Sequence, residues 1–215
     1  MSYTYAYPHP AVTVDVIVFT IEAGRLKVLL IRRGQYPFEG MWAMPGGFVN
    51  IDESLKRAAW RELREETGVR AGHLQQLGAF GRPDRDPRER VITVVYYAAI
   101  PFERLAFRAD SDASDAALFD VEDLPPLASD HNRIIGRAVL RLREHGADAA
   151  FVLRFLPETF TMADYQGACE AVLGQRLDKR NFRKKVGASG LVRASDRLRR
   201  NGAHRPARLY ERVSA

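Results

Sequence analysis

One stretch of this 215-residue chain constrains it more than any other. Residues 47–69 read GFVNIDESLKRAAWRELREETGV, and Glu62, Glu65 and Glu66 fall on one helical turn. Residues three and four apart share a helix face, so three carboxylates repel one another there. A hard divalent cation relieves that repulsion, and Mg²⁺ or Mn²⁺ suits oxygen ligands together with substrate phosphates. A merely solvated face would alternate in sign, whereas this one is acidic and bracketed by glycines. The pattern points to a phosphate ester or anhydride as ligand. Local signals predict the helix itself. Asp52 is the expected N-cap, with Glu53 and Ser54 in the first turn. Leu55, Ala58, Ala59, Leu63 and, less cleanly, Trp60 form an apolar stripe, while Lys56, Arg57 and Arg64 point outward or sideways. Gly68 ends the helix. Before it, Pro45-Gly46-Gly47 makes a turn whose glycines let backbone carbonyls approach an ion or phosphate.

Gly47, Glu53, Arg61, Glu62, Leu63, Glu65, Glu66, Gly68 and Val69 stand at the spacing of the Nudix hydrolase signature, and this segment resembles that family at every position. The resemblance implies that Glu62, Glu65 and Glu66 hold metal, aided by the Gly46 carbonyl. It implies that Arg61 orients the glutamates and that Glu53 pairs with Arg61. The implied reaction is attack of water on a nucleoside diphosphate linked to another group.

The single cysteine, Cys169, excludes an internal disulfide framework and suits a reducing cytoplasm. No run approaches the ~18 apolar residues of a membrane span, and the N-terminus lacks a signal-peptide pattern. A cytoplasmic protein without a membrane partner is expected. Charge is uneven. Residues 1–150 carry 19 basic and 21 acidic residues, net −2, while residues 151–215 carry 14 and 6, net +8. A basic tail behind a balanced domain suggests a nucleic-acid partner. The expected division is therefore 1–150 and 151–215.

Residues 11–21, AVTVDVIVFTI, alternate as a strand, with Val12, Val14, Val16 and Val18 on the expected core face. Lys27–Arg32 returns after a turn at Ala23-Gly24. Further strands are expected at 73–80, at the β-branched and aromatic run 91–100, and at 116–119. Ile134, Ile135, Ala138, Val139 and Leu142 recur at helical spacing within His131–Glu144. This order fits an α/β class chain, an α/β/α sandwich around a mixed sheet.

The loop GRPDRDPRER is either a solvated hairpin tip or a substrate loop offering Arg82, Arg85 and Arg88, whose planar forks suit phosphate or ribose. Arg32 and Arg33 are candidates for the same role. Phe38 and Trp42 either flank a base or fill the core. Candidates for a general base are Asp112, Asp115 and Glu89; the resemblance points to Asp115, which stands where related proteins often have Glu. Asp130 suits a helix cap at least as well as a catalytic role, and His131 reads as a packing residue.

The tail reads as helix 162–173 capped by Thr161, a second helix over DKRNFRKKVGASG, and a hairpin whose strands start at Leu191 and Ala207 around the basic loop ASDRLRRNGAHRP. That is the order of a winged helix. Phe182 and Val186 should pack inward. Lys179, Arg180, Arg183 and Lys184 on the second helix, with Arg199 and Arg200 in the loop, are the candidates for contacting double-stranded DNA. Residues 176–215 hold 13 basic and 3 acidic residues, net +10, so binding should fall steeply with salt.

Over almost its whole length the chain resembles Nudix-related transcriptional regulators of nicotinamide-cofactor metabolism. The resemblance is carried by AVTVDVIVF, LLIRRGQYPFEGMWAMPGGFV, GRPDRDPRERVITVVYYA, ETFTMADYQGACEAVLGQRLDKRNFRKKV and RPARLY. It implies a nucleotide-sugar diphosphate ligand, operator DNA and a homodimer. With all three glutamates kept, Mg²⁺-dependent hydrolysis of ADP-ribose to AMP and ribose 5-phosphate is the first expectation. An ADP-ribose-sensing DNA-binding regulator, with or without residual hydrolysis, is the second.

Overall fold

The computed structural model describes residues 5–105, 116–144, 149–200 and 206–213. Asp112 and Asp115 lie outside them. The chain runs β1 (Ala11–Glu22), β2 (Arg25–Arg32), β3 (Trp42–Ala43), β4 (Gly46–Phe48), α1 (Leu55–Thr67), β5 (Gln75–Phe80), β6 (Val91–Ala99), β7 (Ala116–Asp120) and α2 (His131–Glu144). Then come α3 (Ala149–Val152), β8 (Thr159–Thr161), α4 (Met162–Leu173), α5 (Lys179–Ser189), β9 (Val192–Arg199) and β10 (Ala207–Arg212).

The larger sheet is mixed. Its strand order is β3-β2-β1-β6-β5, with β4 pairing on β1 and β7 on β2. Burial along β1 departs from the one-faced reading. Val14 through Thr20 are all buried, while Val12 is 38% exposed. A strand covered on both faces loses the in–out alternation of a half-buried one, and Val12 lies where that cover ends. Asp15 is carried inside with it, 7% exposed.

Helix α1 starts later than expected. Ser54, not Asp52, is the N-cap, and its hydroxyl accepts the Arg57 N–H. Glu53 stands before the helix, where it accepts the Asn50 N–H at 2.9 Å. Ala58, Ala59 and Leu63 are buried, Leu55 is half-buried, and Trp60 is exposed. Gly68 closes α1 at φ 72°, a left-handed conformation that glycine adopts at little cost.

The described residues group into two compact units. One draws on Met1–Phe19, Val28–Ala98 and Ala106–Ala138, the other on Thr20–Lys27, Ala99–Leu105 and Val139–Ala215. The division passes through α2 and does not correspond to one cut in the chain. Within the second unit, β8, β10 and β9 form a three-stranded sheet in that order. Thr161 caps α4 through a reciprocal capping box with Asp164, and Asp178 caps α5. Phe160, Tyr165 and Phe182 meet edge to face at 5.9 and 5.3 Å between ring centroids, so one aromatic chain ties β8, α4 and α5 together. Among the described residues no helix is long and apolar enough to cross a membrane.

Candidate ligand cavity and nucleic-acid interface

Strand β4 supplies the glycines of the motif and α1 its glutamates. β4 lies antiparallel on β1, with Gly46 opposite Asp15 and Gly47 opposite Val14. A Cβ on Gly46 would stand 2.2 Å from the Val14 carbonyl oxygen, and one on Gly47 would stand 2.5 Å from Glu62 Oε1. The close approach these glycines permit is therefore to β1 and to Glu62. Gly46 also donates its N–H to Glu66 Oε2 at 2.7 Å.

Arg61 organises the other carboxylates. Its Nε and Nη2 donate to the two oxygens of Glu53 at 3.1 and 2.5 Å. Its Nη1 donates to Glu62 at 2.6 Å and to Glu65 at 3.2 Å, and Nη2 reaches the Phe48 carbonyl at 3.0 Å. The Arg61 hydrogen bond, followed by the Asn50 N–H, holds the Glu53 carboxyl down at about 2. Glu62 is nearly enclosed and Glu65 half exposed. Because Glu62 and Glu65 turn to Arg61 and Glu66 to Gly46, no three acidic, histidine or cysteine side chains are gathered as a metal centre among the described residues.

The charge balance nonetheless fits a cation. Burial pushes the Glu66 carboxyl up to about 7, and the Glu62 and Asp15 carboxylates add to the effect against the Gly46 N–H and Arg33. A carboxyl so placed lacks positive charge, and a hard divalent ion on an all-oxygen set with Glu62 and Glu65 would supply it.

Glu66 opens into a cavity of 560 Å³, a volume usual for a small-molecule site. Of the residues singled out from the sequence, Arg32, Arg33, Phe38, Gly46, Glu66, Arg85 and Arg88 line it. Arg32 and Arg33 also hold the loop between β2 and β3, through Nε bonds to the carbonyls of Gly40 at 3.0 Å and Pro37 at 2.8 Å. Trp42, Arg82 and Glu89 are not among the lining residues. Trp42 packs edge to face on Phe119 at 4.8 Å, and Arg82 turns to Asp84 at 2.7 Å on the exposed loop.

The cavity wall holds a buried polar group that sequence reasoning did not assemble. Arg85, 8% exposed, donates to Asp130 at 3.0 Å and stands 3.8 Å from Asp15. Its Nε has no hydrogen-bond partner among the described residues. Asp15 accepts the Thr93 hydroxyl at 2.6 Å. His131 Nδ1 accepts the Met44 N–H at 3.0 Å, and burial lowers its pKa. One signal was available in the sequence: Asp15 is the only charge between Ala11 and Ile21, in the middle of a largely apolar run.

In the second unit α5 buries Phe182 and Val186 and exposes Lys179, Arg180, Arg183, Lys184 and Lys185. Arg199 belongs to β9 and not to a loop, because Ala207 of β10 pairs with it. Its guanidinium is tied to Asp164 of α4 at 2.8 Å. Arg193, Arg197 and Arg200 are exposed, and Arg193 pairs with Glu211 at 3.2 Å.

Both parts of the chain match known domains. Residues 9–138 match the NUDIX domain, and residues 152–211 match the NrtR DNA-binding winged helix domain. The chain is 36% identical over 207 residues to an ADPR responsive transcriptional repressor of Acinetobacter baylyi, covering 95% of this chain and 82% of that protein. It is 45% identical over 129 residues to an ADP-ribose pyrophosphatase of Methanocaldococcus jannaschii, covering 60% of this chain and 73% of that one. Among solved structures it resembles Shewanella oneidensis NrtR complexed with a 27mer DNA. The TM-score is 0.83 and the identity 33%, over 94% of this chain and 93% of that one. The chain therefore belongs to the Nudix family, in the group that carries an NrtR-type winged helix domain behind the Nudix domain.

Proposed function

We propose that this protein is a transcriptional regulator that binds double-stranded DNA through residues 151–215 and is controlled by ADP-ribose bound in the cavity of residues 1–150. The observation that carries the proposal is similarity over 95% of the chain to an ADPR responsive repressor. The outward basic face of α5 supports it, since the second helix of a winged helix is the one that enters the major groove. This places the regulator reading ahead of the hydrolysis first expected from the intact motif. A homodimer belongs to the proposal, because paired recognition helices read half-sites about one helical turn apart. The test is gel-shift titration of duplexes taken from around the gene, with and without ADP-ribose. We expect a specific complex that ADP-ribose shifts by roughly fivefold or more, within the usual span of coupling energies. A complex indifferent to ADP-ribose would defeat the proposal.

A second activity is favoured by the three retained glutamates and the elevated Glu66 carboxyl. In this reading the protein also hydrolyses ADP-ribose to AMP and ribose 5-phosphate. Glu62, Glu65 and Glu66, with the Gly46 carbonyl, would hold Mg²⁺ or Mn²⁺, which lowers the pKa of a bound water and offsets charge on the diphosphate. Arg61 keeps Glu62 and Glu65 in place, and Gly46 and Arg33 steady the ionised form of Glu66. AMP release over many turnovers, cut by about 10²-fold in Glu66→Gln, is the expected result. Equal turnover by the variant would end that reading.

A further inference from the structure

At the cavity wall the guanidinium carbon of Arg88 stands over the Phe48 ring, 5.5 Å from its centroid. Asp86 braces it from the side, accepting Nε at 3.0 Å and Nη2 at 2.9 Å, and also the Arg88 backbone N–H at 2.9 Å. All three residues line the cavity, and so does Tyr36, which is 70% exposed. Phe48 keeps 43% of its surface exposed. The Asp86 side chain is nearly enclosed and that of Arg88 is 36% exposed.

This arrangement leaves Arg88 a particular capacity. An arginine that grips phosphate does so with two parallel N–H groups and an uncompensated charge. Here that fork and that charge are already committed to Asp86. What Arg88 still presents is one guanidinium face, held in a fixed plane, among exposed aromatic surface. A planar cation of this kind attracts the π-face of an aromatic ring, and such stacking is tolerant of ring identity because every nucleobase has that face.

We propose that Arg88, backed by Phe48 and braced by Asp86, is the platform on which the base of the nucleotide ligand stacks, and that this platform makes the cavity require a base. The inference rests on the reading of the cavity as an ADP-ribose site. It divides the work of the arginines. Arg88 serves the base end, while Arg32, Arg33 and Arg85, which line the same cavity, serve phosphate and ribose.

The experiment is calorimetric titration of the full chain with ADP-ribose and, separately, AMP. The proteins compared are wild type, Arg88→Ala, Arg88→Lys and Phe48→Leu, each first shown to melt like wild type. Loss of one stacked base costs on the order of tenfold in affinity. We expect Arg88→Ala and Phe48→Leu each to weaken ADP-ribose by about that factor, and Arg88→Lys to be as weak as Arg88→Ala, since lysine keeps the charge and loses the plane. Wild-type affinity in Arg88→Lys would mean a charge acting on the diphosphate and would overturn the proposal, as would an unaltered Phe48→Leu. Binding of AMP but not ADP-ribose, with the same variant pattern, would uphold the platform and overturn the ADP-ribose reading. A wild type that takes up neither nucleotide overturns both.

Discussion

Glu66 is the motif residue whose carboxyl is pushed up by its surroundings. Burial, with the nearby Glu62 and Asp15 carboxylates, raises its carboxyl from 4.5 to about 7. The sign of the consequence follows from linkage. A carboxyl whose pKa rises on folding favours the folded state while protonated, so its contribution is complete below about 4.5 and is lost as the pH climbs through 7. The full loss is on the order of 3 kcal/mol. A divalent cation favours the ionised carboxylate and works against that loss. Thermal unfolding should therefore show Mg²⁺ raising the melting temperature more at pH 8 than at pH 5.5. Glu66→Gln should flatten the difference. An equal Mg²⁺ effect at both pH values in wild type would mean that Glu66 does not respond to the ion. The neighbouring glycines are specified as tightly, since a Cβ at Gly46 would press on the Val14 carbonyl oxygen at 2.2 Å.

Among the elements, α5 carries the clearest functional division. Phe182 and Val186 anchor it, and its basic residues face away from that anchor. If this face lies against phosphates, Arg183→Ala combined with Lys184→Ala removes about two contacts. The slope of log affinity against log salt should then fall by about 2, with ADP-ribose binding unchanged. Gel-shift titration from 50 to 200 mM salt measures it, and an unchanged slope would remove this face from the interface. The helices of this unit were readable from sequence because their ends are local: Thr161 with Asp164, Asp178 with Asn181, and glycines at 174 and 190. α1 was read two residues early because Asp52 and Ser54 both suit a cap. The structure uses Ser54, with Glu53 held between Asn50 and Arg61. The extent of β9 was missed for the opposite reason, since its last residues are strand only through pairing with β10.

At the scale of the whole molecule, the proposed regulator joins two binding functions in one chain, and any coupling between them is reciprocal. Whatever factor ADP-ribose takes from DNA affinity, DNA must take from ADP-ribose affinity. The sequence alone determined the Nudix motif, the order of the longer strands and helices, and the concentration of basic charge in the tail, but not the short strands β3, β4 and β8. Each of these is a matter of spacing or composition over a few turns of chain. The tertiary structure alone decided which side chains meet in the cavity. The bonds Arg85–Asp130, Asp15–Thr93 and Met44–His131 join positions 45, 78 and 87 residues apart. Packing likewise turned Trp42 to Phe119, Arg199 to Asp164 and Arg88 onto Phe48. A periodicity of 2 or 3.6 residues records which face of an element is buried; it holds no record of the distant element that covers that face.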